Sequence, residues 1–481
     1  MGDAFEEIFA FSSVKKNIFL TRLQEIQAQE NTNHMDVEND DDFIYLGDGF
    51  NKQWPDFTHS QYSYPRKIAI KYEYDINQLK ELFCSTFEKK RESITQRIQK
   101  LEADYKQWER LNQREPEPNI CFGRILKIEV PTDQTQSDTQ STQKLLKSDK
   151  SFFLDFKDDQ KPKSLNLQSI ENEGAYLYPG KIVGVVISQS TDQELEVRRF
   201  LSIYPDDQAI QEEPSNFKNY QAQQRSDSIV MVIAAGPFEK EDKFGYKGLF
   251  ALVEKIKKKQ ISCDILMLLG PILDIKNQEN LDKYNYEYEE FFEIILQAIM
   301  EEIPRVQVIV VNSTKEITSF HPVPQPPINI KVEQQKKKVQ VDNLMFVGNP
   351  CILQVEDMTI GIINEEVVSE INSASEKIGV QKLNKIEAAL KQIIEQRSFV
   401  PINPTKFPCD LTKQEFLDFD QCPDVIITPS HFTQSAKLID QTVFINPQFF
   451  QPAQQYAILT FNGNNELEVI PKKLRVDFGK L

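Results

Sequence analysis

Ile229-Val230-Met231-Val232-Ile233-Ala234-Ala235-Gly236-Pro237-Phe238 is an unbroken apolar run that ends on a Gly-Pro turn. A strand with one wet face alternates apolar and polar residues. One that is apolar throughout is covered on both faces. The pattern returns at Ile265–Leu269, closed by Gly270-Pro271, and at Gln307–Val311, closed by Asn312-Ser313. Helical patterns fall between these runs, around Gly248–Lys259 and Tyr286–Glu302. Strands that alternate with helices predict a central sheet with helices on both faces. The later apolar segments 344–347, 358–363, 425–428 and 443–446 read as a more antiparallel second set. Residues 228–481 are therefore expected to form a sandwich of two sheets between helices, an αββα arrangement.

Upstream, the period changes. Residues 116–208 hold short alternating segments at Cys121–Val130, Ser151–Phe156, Lys181–Ile187 and Leu195–Phe200, which predict a small barrel. The turn Leu177-Tyr178-Pro179-Gly180-Lys181 before an apolar strand is typical of an OB-fold. The Thr132–Thr142 stretch, made of Thr, Gln, Ser and Asp, is read as a disordered insertion. OB-folds often bind single strands through aromatics in a basic groove. Here acids outnumber bases, and Phe152, Phe153 and Phe156 are needed partly for the core, so packing on a neighbour is the favoured role and DNA contact a weak or indirect one.

In the 66–115 segment, Ile94, Ile98, Leu101, Tyr105 and Trp108 repeat at 4-3-4-3 spacing. That places one apolar stripe on a long helix over 76–113, stopped by Pro116 and Pro118 and lying against a neighbouring domain. Residues 1–65 read as a short amphipathic helix followed by a solvated acidic tract at 36–42. That helix is either a terminal embellishment or a docking helix for a partner. Residues 209–227 read as a linker.

The totals set outer bounds. The 481 residues carry a net charge of −17, which favours protein partners over a broad phosphate-neutralising surface. The six cysteines include no CxxC pair, so zinc ribbons and thioredoxin-type sites are not indicated. No stretch is long and apolar enough to span a membrane, and acids stand where a secretory signal would carry lysines, so an intracellular protein is expected. Lys255-Ile256-Lys257-Lys258-Lys259 ends a helix, where lysines suit the dipole. Lys336-Lys337-Lys338 lies in a loop that would suit a weak import signal.

In α/β folds, functional loops lie at the carboxyl ends of strands. The loops of residues 228–481 resemble the calcineurin-like metallophosphoesterase pattern. That pattern needs Asp-x-His, Gly-Asp-x-x-Asp and Gly-Asn-His in order, then an isolated His and Gly-His-x-His, to hold two metal ions that activate water and brace a phosphate. This chain keeps the spacing without the ligands. Gly236-Pro237 fills the first loop, Gly270-Pro271 the second, Asn312-Ser313 the third and Asn446-Pro447 the last. Asp274 is the one carboxylate left in pattern, and His321 and His431 are the domain's only histidines. No catalytic residue, metal or cofactor is expected.

An ordered set of motifs then resembles one family. Ala234–Phe238, Leu268–Asp274, His321–Pro327, Asn349–Cys351, Gln396–Pro401, Pro423–Ser430 and Ile445–Pro447, with the Leu177–Gly180 turn, are similar to segments of the B subunits of DNA polymerase alpha–primase. The resemblance runs from about residue 76 to near the C-terminus. It implies a nuclear, non-catalytic scaffold that pairs an OB-fold with an inactivated phosphoesterase domain. It further implies binding to the C-terminal domain of the polymerase catalytic subunit, with the primase subunits, in RNA–DNA primer synthesis on lagging strands and telomeric C-strands. Telomere single-strand-binding or telomerase-associated proteins are candidate further partners. Family members often carry a larger N-terminal helical domain than the 65 residues present here. A B subunit of polymerase delta or epsilon is the alternative, and an active nuclease or phosphatase with unusual ligands is the more distant one.

Overall fold

The computed structural model describes residues 68–73, 86–111, 113, 119–129, 150–156, 161–168, 170, 175–201, 228–239, 246–282, 287–319, 321–330, 343–378, 383–462 and 474–481. The expected N-terminal helix, acidic tract, 132–142 insertion, 209–227 linker, Lys336–Lys338 and the first turns of the 76–113 helix lie outside the described residues.

The apolar runs form the first of two six-stranded sheets. It holds β8 (Ser228–Ala235), β9 (Ile265–Leu269), β10 (Gln307–Val311), β11 (Leu344–Val347), β18 (Gln455–Asn462) and β19 (Leu474–Lys480), in the order β11-β10-β9-β8-β18-β19. The second holds β1 (Ile70–Lys71), β12 (Cys351–Val355), β13 (Met358–Ile362), β15 (Val425–Ile427), β16 (Ser435–Ile439) and β17 (Thr442–Asn446), ordered β1-β12-β13-β15-β17-β16. The two pack face to face. Met231, Met267 and Ile309 from the first meet Leu353, Ile360, Val425 and Val443 from the second in one buried cluster.

Alternate residues of the same strands face outward, which is why the runs are apolar throughout. Val232, Leu266 and Val308 pack under α2 (Lys247–Lys257) and α4 (Tyr288–Glu302), and between these helices lies the four-residue α3 (Gln278–Leu281). On the far side Ile426 and Phe444 pack under α5 (Val367–Ala374) and α6 (Lys385–Glu395). A capping box fixes the start of α6: the Asn384 side chain accepts from Glu387 N, and the Glu387 carboxylate accepts from Asn384 N. The short α7 (Gln414–Leu417) follows.

The expected antiparallel character of the later strands is corrected. β11 runs parallel to β10, and β13, β15 and β17 run parallel to one another. Parallel neighbours need long crossovers, and α5 and α6 supply one between β13 and β15. Antiparallel pairing is confined to β1–β12, β12–β13 and β16–β17 in that sheet, and to β8–β18–β19 in the other.

Residues 120–200 close a barrel in the order β2-β3-β4-β7-β6, from β2 (Ile120–Glu129), β3 (Lys150–Phe156), β4 (Lys163–Asn166), β6 (Ile182–Ser190) and β7 (Glu194–Phe200). Its ladder is antiparallel except for β4 against β7. Ile125, Leu154, Val185, Leu195 and Val197 fill the interior. The long helix α1 (Phe87–Leu111) lies on the barrel, burying Ile98, Leu101, Tyr105 and Trp108 against Phe122, Ile182 and Val186.

The strand β5 (Ala175–Leu177) leaves the barrel and pairs antiparallel with β14 (Glu376–Ile378) beside the sandwich. The Gln396 side chain continues this seam: its Oε1 accepts from Ile182 N and its Nε2 donates to Ile182 O, both at 2.9 Å. Next to it, Gly180 takes φ +93°, and a Cβ there would sit 2.4 Å from Asn403 N. This is the position that requires glycine in the expected turn.

Candidate functional site

The site expected from the sequence is the rim where β8, β9 and β10 end. The three strands are in register, Ala235 beside Leu269 and Leu269 beside Val311, so their loops start side by side. Each loop is laid on the next. Gly236 N donates to Leu269 O at 2.7 Å and Gly270 N to Val311 O at 2.9 Å. A Cβ on Gly236 would lie 2.3 Å from Pro271 O, and one on Gly270 would lie 3.1 Å from the Ser313 Cβ. Pro237 and Pro271 both follow cis peptide bonds. The rim is thus filled by neighbouring backbone.

The polar side chains expected here hold the loops rather than face a substrate. Asp274 is buried and accepts from Lys276 N at 3.0 Å, capping a short 3-10 turn. Asn312 is fully buried; its Nδ2 donates to Ser319 Oγ and Pro326 O, both at 2.8 Å, and its Oδ1 accepts from Ser313 N. Asn446 accepts from Ser430 N and Gln448 N at 2.9 Å and donates to Phe432 O at 3.0 Å. Pro447 O accepts from Gln434 Nε2, and Ala235 pairs with Phe449, which brings this last loop to the same rim. His431 stands apart and exposed, its Nδ1 3.3 Å from Glu366.

Sequence reasoning missed the groups that tie the rim from beneath. Asn364 Nδ2 donates to Gly270 O and Asn312 O, both at 2.9 Å. Glu316 accepts from Ile272 N at 2.6 Å and Leu273 N at 3.2 Å, and burial pushes its carboxyl up to about 8. Glu239 accepts from Tyr246 OH and from Asn277 Nδ2, and burial raises it to about 7. Glu365 accepts from Thr314 Oγ1 at 2.6 Å and is likewise raised by burial to about 7. A glutamate in a loop reads as solvated. The available signal was position: Glu239 directly follows Gly236-Pro237-Phe238, and Glu316 lies four residues past Asn312.

Residues 231–437 match the model of the family of DNA polymerase alpha/epsilon B subunits. The DNA polymerase alpha B subunit of Caenorhabditis elegans is 24% identical over 322 residues, covering 64% of this chain and 52% of that protein. The Mus musculus protein of the same name is 27% identical over 231 residues, 46% of this chain and 37% of that protein. The chain is similar in part to the DNA polymerase alpha B subunits. It spans about half the length of the first of these relatives and less of the second. Among solved structures, vacuolar protein sorting 29 from Cryptosporidium parvum overlaps 53% of this chain and 98% of its own, at 9% identity and a TM-score of 0.25, too loosely to carry inference. The B-subunit relationship reaches the rim itself, since Gly236, Gly270, Asp274, Asn312 and His431 all fall within 231–437.

Proposed function

We propose that the chain is a non-catalytic accessory subunit of DNA polymerase alpha–primase. On this reading it holds the C-terminal domain of the catalytic subunit and organises the complex for primer synthesis in the nucleus. The observation that carries the proposal is the closed rim. Gly236, Gly270, Pro271, Asn312, Asn446 and Pro447 pack on or bind backbone, Pro237 follows a cis bond beside them, and Asp274 serves as a turn cap. A two-metal phosphoesterase needs those positions as open carboxylates and imidazoles. Its sandwich is read as an inactivated phosphoesterase domain kept for shape. Its barrel, whose five strands are ordered first-second-third-fifth-fourth around the closure, is read as an OB-fold. The proposed units are 66–115, 116–208 and 228–481, after a 1–65 extension and joined by a 209–227 linker. Telomeric C-strand synthesis, with telomere single-strand-binding or telomerase-associated partners, is part of the same proposal.

Mixing the purified chain with the C-terminal domains of the polymerase alpha, delta and epsilon catalytic subunits tests it. Stable co-elution with alpha alone is expected. Co-elution with epsilon or delta instead would move the assignment, and the matched family covers alpha and epsilon together. Manganese-dependent cleavage of single-stranded DNA that vanishes in Asp274→Ala would overturn the non-catalytic reading.

A further inference from the structure

Helix α1, the barrel and the sandwich meet around a cavity of about 20 Å³ lined by Arg97, Arg124, Asp418, Gly180, Ile182 and Val400. Each charged residue comes from a different unit: Arg97 from α1, Arg124 from β2 and Asp418 from the end of α7, the last beside Asn403 and Gln414 of the same unit. The Nε of Arg97, the Nε of Arg124 and the Oδ1 of Asp418 are all buried and have no protein hydrogen-bond partner. Arg97 Nη2 donates to Gln396 O at 3.2 Å and Arg124 Nη2 to Asp155 Oδ2 at 2.8 Å. Arg97 Nε lies 3.5 Å from Asp418 Oδ2, an ion pair without a hydrogen bond.

An unmet polar atom in a buried site is costly, and three around one cavity point to a shared ligand. Two arginines invite an anion. The charges, however, are already matched, Arg97 to Asp418 and Arg124 to Asp155, so a further anion would be buried uncompensated. The ligand is therefore neutral and small. It must accept two N–H bonds and donate to a carboxylate. Water has two lone pairs and two protons, and a cavity needs about 10–15 Å³ to hold one.

We propose that a single ordered water molecule bridges Arg97, Arg124 and Asp418 and forms part of the joint between the three units. It accepts from both Nε–H groups and donates to Asp418 Oδ1, leaving one proton for a further acceptor. The joint then has a polar pin at its centre that no pair of units can complete without the third.

A crystal structure of the full chain, grown with bromide in the mother liquor, is the direct test. One water peak within hydrogen-bond distance of all three atoms, with no anomalous signal, is expected. An anomalous bromide peak there, or no peak at all, overturns the proposal. A second measurement is Val400→Ile, which adds a methylene to the cavity wall. Water oxygen-17 relaxation should count one long-lived buried water fewer in that variant. An unchanged count overturns the proposal.

Discussion

Replacing Gln396 with alanine should loosen the barrel from the sandwich. Gln396 is 2% exposed, and its amide meets both the N–H and the C=O of Ile182, residues 214 positions apart in sequence. Alanine leaves both Ile182 groups buried without partners. Each orphaned group costs roughly 1–3 kcal/mol, so the pair should cost about 2–6 kcal/mol. The Gln396 main-chain carbonyl, which accepts from Arg97, is retained. A central loss of about 4 kcal/mol corresponds to joint opening that is more frequent by a factor on the order of 10³. Amide hydrogen exchange at Ile182 reads this directly, and the denaturant midpoint reads its global share. If Ile182 exchange in Gln396→Ala stays within about tenfold of the unaltered protein, the amide pair is not a principal tie of the seam.

Three further outcomes follow from the same geometry. Burial raises the Glu316 carboxyl in the folded chain above its ordinary value of 4.5 to about 8. The folded state therefore binds the extra proton, and this group's stabilisation is fully present below about pH 4.5 and is lost as pH rises through about 8, on the order of 5 kcal/mol in all. Glu316→Gln should flatten the stability–pH curve in that window, and an unchanged slope in urea titrations between pH 5 and 8 would refute the burial argument. Gly180→Ala meets both a φ of +93° and the Asn403 backbone at 2.4 Å, so its thermal midpoint should fall with a loss of about 1–3 kcal/mol; a midpoint matching the parent would contradict the close approach. Asp274→Ala should cost about 1 kcal/mol through the lost turn cap and leave affinity for the catalytic subunit intact. Abolished affinity would show that this turn is part of the interface.

Much of this architecture is legible in residue order, because continuous apolar runs have few alternatives. The spans 229–235, 265–269 and 307–311 lie within or coincide with β8, β9 and β10, and the stripe Ile98–Leu101–Tyr105–Trp108 is the buried face of α1. Strand direction was not legible. Val425–Ile427 is three residues long, and nothing in it reports that its neighbours reach it through helical crossovers. The strands β12 and β16 escaped notice because their exposed positions, Ile352 and Leu438 among them, blur the pattern. At the rim, the order of the loops was readable from the residues, whereas the roles of the buried glutamates were not. A carboxylate that faces backbone N–H groups has the same letter as one that faces water.

Main chain takes part in the seam between barrel and sandwich at several points: β5 on β14, Pro179 O on Asn403 N, and Ile182 held through both of its peptide groups. Peptide groups are the same whatever side chains they carry. Positions tied only through main chain can therefore change residue type without undoing those ties, whereas Tyr176 and Tyr178 bury their rings in the sandwich core. The burden falls instead on a few sites, Gly180 and Gln396 foremost. A chain that lost β14 would leave β5 with an open edge inside its own fold, a vulnerability to mispairing rather than a simple loss of contact.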